Sequence, residues 1–339
     1  MIGELTKKLE AFDLSGQVKI VSKGQVILDQ IKGYRDFENK LPIDGDTLFG
    51  IASGTKMFTA IAMLKLVDEG KVTLDTKAAS ILKIDSAEYN PDITIKHLLT
   101  HTSGMPDYYD EDLIEDFDAF ELEVPVQKLV SPMDYLPMFF DKKMNFEPGE
   151  KYKYSNGGFV YLAMLIEKLS GMSYKKCIEE FILKPLGLSR TGVHAFNGLP
   201  HNTAYGYYEQ DGAWFTNIYK LPIQAGGDGG IYTTGEELYA IWKGLYDGIL
   251  LSPELVNQML AGQVLLNEEL NLYYGLGVFV RISGNKKISF IVGGDAGVSF
   301  RSAYKHDSND YLYAVSNRGD DIWDLCDELV DVQTYFLNQ

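Results

Sequence analysis

Ser53 and Lys56 stand three residues apart in the run Ser53-Gly54-Thr55-Lys56. A short apolar run, 47–52, leads into it. Met57, Phe58, Ile61, Ala62, Leu64, Leu66 and Val67 follow at helical recurrence, and Gly70 can stop the helix. Residues three apart share a helix face, so a serine oxygen and a lysine amine face each other across one turn. Such a pair can do nucleophilic chemistry: the serine attacks a carbonyl and a neutral lysine takes its proton. The N–H groups of a helix start favour the negative charge that then develops. Taken alone the pattern is short, and serine at a helix start is commonly only a cap.

Further candidates lie downstream. Lys151-Tyr152-Lys153-Tyr154-Ser155-Asn156-Gly157-Gly158 follows a turn at Glu147-Pro148-Gly149-Glu150 and precedes a helical apolar run, Phe159 to Leu169, closed by Gly171. Tyr154 can relay a proton if a neighbouring cation lowers its pKa. Asn156 can hold a substrate carbonyl; the plainer reading is a buried tyrosine with an asparagine cap. His101, at the end of a short helix spanning 94–100, reads as a structural hydrogen-bonder rather than a catalyst. The acidic stretch 107–123, with Tyr108, Tyr109, Phe117 and Phe120 interleaved, reads as a solvated loop or surface helix, or as a lid that disfavours anionic substrates. Ala225 to Gly230 lacks the Gly-Lys-Ser/Thr ending of a phosphate loop and reads as a flexible turn where backbone approaches something closely.

The elements that must position these groups follow from periodicity. An amphipathic helix over 1–12 precedes a hairpin: Gln17 to Ser22, a turn at Lys23-Gly24, then Gln25 to Lys32. Four strands are expected late in the chain, over 275–282, 287–292, 300–304 and 311–316, before a closing helix over 321–337. The middle is mainly helical. Strands gathered late, flanked by terminal helices, argue for a mixed α/β (α+β) fold: an antiparallel sheet with helices packed on it. A hydrophobic content of 45% over 339 residues supports a substantial core. The net charge of −17 excludes non-specific nucleic-acid binding as the chain's business. Cys177 and Cys326 form no metal-binding pattern and are expected as buried free thiols. No apolar run approaches the ~18 residues that span a bilayer, and the first residues do not read as a signal peptide, so a cytoplasmic location is expected.

Three features coincide in order: Ser53-Gly54-Thr55-Lys56, Tyr154-Ser155-Asn156, and Gly293-Gly294-Asp295-Ala296-Gly297 between two strands. Together they resemble the serine β-lactamase and penicillin-binding-protein superfamily, in particular its class C branch with D,D-peptidases and esterases. The runs His97 to Gly104, Phe146 to Gly149, and Gly226-Gly227 before Thr233-Thr234 also look like this family. The resemblance implies one catalytic domain over 1–339, with an α/β region from 1–50 plus 200–339 and a mainly helical region at 51–199. It implies that Ser53 is acylated, that Lys56 accepts its proton, that Tyr154 moves protons to the leaving group, and that Asn156 orients substrate and Lys56. The oxyanion would sit between the N–H of Ser53 and that of Gly294. Neither cofactor nor metal is implied.

One departure matters. The family's third motif is usually Lys or His, any residue, then Gly. Here the basic position falls on Ile291 and the glycine on Gly293. In penicillin-recognising relatives that basic residue helps bind the substrate's carboxylate, which an isoleucine cannot do; a charge-assisted hydrogen bond is worth roughly 1.5–3 kcal/mol. Arg301 or Lys287 would substitute if the fold brought either near. The expectation is an esterase or amidase of small, uncharged or weakly charged substrates. The alternatives are a β-lactamase or D-Ala-D-Ala carboxypeptidase or D-aminopeptidase, and a ligand-binding or assembly protein without turnover.

Overall fold

The computed structural model describes residues 2–114, 120–319 and 321–338. Helix α1 (Ile2–Ala11) leads into a hairpin of β1 (Gly16–Ser22) and β2 (Gln25–Lys32). Six further strands come from the last third: β3 (Val264–Asn267), β4 (Leu272–Tyr274), β5 (Phe279–Ser283), β6 (Lys286–Asp295), β7 (Val298–Lys305) and β8 (Asp310–Ser316). They form one antiparallel sheet in the order β3-β4-β5-β6-β7-β8-β1-β2, so chain start and chain end meet where β1 pairs with β8. This is the antiparallel sheet with terminal helices that the periodicity predicts. Two short strands, β3 at the sheet edge and β4 beside it, escape the sequence reading because they are only four and three residues long and are joined through polar residues such as Glu268 and Glu269. The residues 275–278 expected in a strand instead turn, with Gly277 at φ +80° donating its N–H to the carbonyl of Leu99.

Each face of the sheet carries its own core. On one face Leu5 and Leu9 of α1 and Leu329, Val332 and Phe336 of α4 (Cys326–Asn338) pack on Val18, Ile288 and Phe290. On the other face lie Ile291, Phe300 and Tyr313, under α2 (Thr55–Asp68) and α3 (Asn156–Ser170). Every residue of α2 from Thr55 to Leu64 is buried, as expected of a helix that is apolar all round. α2 therefore runs through the middle of the molecule, fixed by sheet and helices on all sides. The closing helix begins at Cys326 rather than 321, and Cys326 is half-buried rather than buried; Cys177 is a buried free thiol.

Candidate active site

Ser53 lies in a tight 3-10 turn, Ala52–Gly54, that runs straight into α2. Ala52 holds φ +43°, a left-handed conformation costly for a residue with a Cβ. Gly54 permits the turn to press on the sheet, because a Cβ there would sit 2.6 Å from the Phe300 ring. Lys56 occupies the first turn of α2 and is 2% exposed. Its Nζ lies 3.0 Å from Ser53 Oγ, 2.7 Å from Asn156 Oδ1 and 2.9 Å from the carbonyl of Asp228. An ammonium donates to all three. A neutral amine donates to the two fixed acceptors and turns its lone pair to the Ser53 hydroxyl. The same contacts serve both protonation states, so a proton can pass without rearrangement. Burial pushes the Lys56 pKa down, while Asp228, Glu111, Asp107 and Asp295 pull it back up.

The second group arrives on the start of α3. Ser155 caps it by accepting from the N–H of Gly158 (3.0 Å). Asp107 adds a second cap, accepting from the N–H groups of Asn156 (2.5 Å) and Gly157 (3.1 Å). Asn156 therefore presents Oδ1 to Lys56, while its Nδ2 donates to the carbonyl of Tyr109 at 3.1 Å. Both polar atoms of its side chain are thus engaged within the protein. Tyr154 lines the same cleft wall as Ser53, and Lys56 Nζ lies 4.7 Å above its ring. The expected lowering of its pKa does not occur: burial, then the charge of Glu111, raise it well above the usual phenol value. Tyr154 thus stays a phenol, fit to donate or relay a proton but not to act as a phenolate base. His101 is the structural hydrogen-bonder expected. Its Nδ1 accepts from the N–H of Ser155 (3.1 Å), so Nε2 carries the proton and donates to Tyr274 (3.0 Å). Its ring lies 4.4 Å from that of Tyr154 and holds it in place.

The third group lies on β6. Pairing with β5 stops at Phe279↔Phe290, so residues 291–295 keep β7 on one side and an open edge on the other. The two-residue turn Ala296-Gly297 closes on the pair Asp295↔Val298, which exchanges both hydrogen bonds. Alternation then directs the Gly294 N–H to the open edge. Gly293 packs on the nucleophile turn: a Cβ there would lie 2.2 Å from the Ile51 carbonyl and 3.0 Å from Ser53 N. Ile291 is 3% exposed and joins the core, so it offers no charge to a ligand. Neither proposed substitute reaches the site. Arg301 lies on the opposite face of the sheet, bonded to Gln333 of α4 (3.0 Å) and 5.1 Å over the Phe290 ring. Lys287 pairs with Ile282, six residues and ~20 Å up the strand from Gly293. An open cleft of about 1170 Å³ runs past Ser53, Tyr154 and Gly293, walled by Tyr208, Trp214 and Trp323.

Against known proteins, the family model described as Beta-lactamase matches residues 13–318. The chain belongs to the beta-lactamase family. It is 30% identical to Penicillin-binding protein 4* of Bacillus subtilis over 92% of this chain and 70% of that one. It is 32% identical to Protein flp of Staphylococcus aureus over 56% of this chain, and spans only 37% of that protein's length. Among solved structures, a penicillin binding protein from Bacillus halodurans superposes at TM-score 0.89 with 33% identity, over 98% of this chain and 100% of that one. The D-amino acid amidase of Ochrobactrum anthropi SV3 shares the fold, at TM-score 0.75 and 22% identity over 93% and 92% of the two chains.

For this beta-lactamase-family chain, the sequence reading missed three carboxylates that surround Lys56. Asp107 and Tyr108 come from the start of the acidic stretch and are built into the site wall, while Asp112, Leu113, Glu121 and Glu123 are exposed, as a solvated loop would be, and residues 115–119, Phe117 among them, lie outside the described residues. Asp228 sits in the glycine turn expected to be flexible and to bring backbone close to something; the close approach is there, the looseness is not. That turn is instead wedged between helices, since a Cβ on Gly227 would meet Ala163 at 2.5 Å and one on Gly226 the Tyr135 ring at 2.7 Å. The Asp228 carboxylate takes the hydroxyl of Tyr108 at 2.5 Å. Asp295 closes β6. Burial raises all three, Asp107 to about 6 and Asp295 to about 7. Among the described residues, no group of His, Cys, Asp or Glu is arranged to hold a metal, and no helix is long and apolar enough to cross a membrane.

Proposed function

We propose that this serine hydrolase works through an acyl-enzyme on Ser53 and acts as an esterase or amidase on small substrates that lack a carboxylate. The observation that carries the reading is the three-contact seat of Lys56, with Ser53 Oγ at 3.0 Å. In the acylation step Ser53 Oγ bonds to the substrate carbonyl carbon as its proton passes to Lys56 Nζ. The oxyanion forms between the N–H groups of Ser53 and Gly294, a placement in which one lost donor typically costs ~2.7–4 kcal/mol. Collapse breaks the bond to the leaving group, which takes the proton back from Lys56 directly or through the Tyr154 hydroxyl. Water then attacks the acyl carbon and gives its proton to Lys56, and the bond to Ser53 Oγ breaks as Oγ takes that proton back from Lys56, which restores the free hydroxyl and the neutral amine.

The substrate restriction is supported by charge. Ile291 supplies no cation, and among the described cleft-lining residues the cation is Arg318, held at 3.0 Å by both Asp13 and Asp321. A second reading, a penicillin-binding enzyme proper, is favoured by the similarity to the Bacillus penicillin-binding proteins. The two are separated by following hydrolysis of p-nitrophenyl acetate and of benzylpenicillin by wild type and Ser53→Ala. Ser53-dependent ester turnover with no penicillin turnover or adduct supports the first; rapid penicillin acylation replaces it with the second.

A further inference from the structure

Asp295 ends β6 on the same face as Gly293, two residues and ~7 Å further along the strand. Gly293 packs against Ser53 N, so the Asp295 carboxylate stands one step from the point of attack, in the wall of the reaction cleft. It has little to do there for the fold. Among the described residues its one hydrogen-bond donor is the N–H of Ala296, in its own turn, at 3.2 Å. Its charged neighbours are mostly of like sign, Asp228 and Glu111, and Lys56 is already engaged by three acceptors. The cation among the described cleft-lining residues, Arg318, is committed to Asp13 and Asp321. A half-buried carboxylate in this setting costs stability unless a cation joins it. The cleft beside it is where a substrate must lie for Ser53 to reach its carbonyl.

We propose that Asp295 anchors an ammonium group of the substrate, so that the preferred substrates are amides and esters of amino acids with a free amine close to the scissile carbonyl. This rests on the hydrolase reading above and narrows its substrate class. A carbonyl seated between Ser53 and Gly294 puts an α- or β-amine within a side chain's reach of Asp295. An N-acylated amine brings no charge and would leave the carboxylate uncompensated. A substrate carboxylate on that side would be repelled by Asp295, Asp228 and Glu111 together.

The test uses the full chain and two arms. In the first, Ser53→Ala is titrated by calorimetry with alaninamide and with N-acetylalaninamide, each as both enantiomers. At least one alaninamide enantiomer is expected to bind about tenfold or more tightly than its N-acetyl counterpart, as a charge-assisted contact implies. Adding Asp295→Asn should abolish that preference, and Asp295→Glu should restore part of it. In the second arm, wild type and Asp295→Asn hydrolyse alanine p-nitroanilide and its N-acetyl form. The free-amine preference should appear in KM, and collapse in the variant. Equal binding of blocked and free amides, no binding of either, or a preference that survives Asp295→Asn would overturn the anchor. Absence of any Ser53-dependent turnover of p-nitrophenyl acetate would instead overturn the hydrolase reading, while the binding arm still decides on Asp295.

Discussion

Lys56 is held by two fixed acceptors and one hydroxyl that can either give or take a proton. Removing the amine removes the base, so Lys56→Ala should lower kcat/KM for an activated ester by about 10²–10⁴-fold, read by steady-state kinetics. Lys56→Arg should not rescue it, because a guanidinium stays charged and cannot accept the proton. Burial lowers the Lys56 pKa, so the acid limb of kcat/KM should lie below the ordinary lysine value of 10.5. The carboxylates around it oppose that shift. Replacing Asp228, whose charge is the largest of these, by Asn should move the acid limb to lower pH. A limb that stays put in Asp228→Asn would show that another group controls it. Tyr154 was legible as a site residue but not in its protonation. Its neighbour Ser155 and the glycines after it mark a helix start in sequence, whereas the burial that keeps it a phenol depends on packing partners such as His101, 53 residues away in the chain.

Three elements meet at Ser53, and two of them touch only because glycine stands at the contact. Gly293→Ala would drive a methyl into the Ile51 carbonyl and the Ser53 amide. It should destabilise the protein by about 1–3 kcal/mol in urea unfolding and abolish Ser53 acylation, because the turn must shift to make room. Asp107→Ala removes a buried double cap from α3; a loss of about 1–2 kcal/mol is expected, with ester turnover falling because Asn156 loses its hold on Lys56. Unchanged stability in that variant would mean the cap is replaceable by water. These contacts explain what the sequence concealed. Ser53 and Lys56 are neighbours on one turn, so their spacing alone suggests the pair. The hairpin, β6 to β8 and α2 follow from periodicity and turn residues. Asp107, Asp228 and Asp295 act across separations of 51, 172 and 239 residues from Lys56, and nothing local distinguishes them from the other acidic residues of a chain with net charge −17. Asp228 hid further among glycines whose close approach to other backbone was legible but whose rigidity, packed against α2 and α3, was not.

For the whole molecule, the carboxylates set a pH dependence. Burial pushes the Asp295 carboxyl up to about 7 and that of Asp107 to about 6 in the fold, from an ordinary value of 3.8. These two groups therefore bind more protons in the fold than in the unfolded chain between roughly pH 4 and 7, and their contribution to stability falls as pH rises through that window, while His101, held well below its ordinary value by burial, acts in the opposite sense below about 6.5. The melting-temperature difference, pH 5.5 minus pH 8, is expected to be smaller in Asp295→Asn than in the wild type. An unchanged difference in that variant would contradict the raised titration of Asp295. Negative charge throughout the chain adds to the same trend through self-repulsion. The sheet, the buried α2 and the cleft all converge on one reacting atom, the Ser53 oxygen, and its acylation is directly observable. Wild type mixed with p-nitrophenyl acetate, quenched in acid within milliseconds and weighed intact, should gain one acetyl group. Digestion should place that group on Ser53, and Ser53→Ala should gain none. An unmodified wild type, or an acetyl group on another residue that persists in Ser53→Ala, would contradict the acyl-enzyme account.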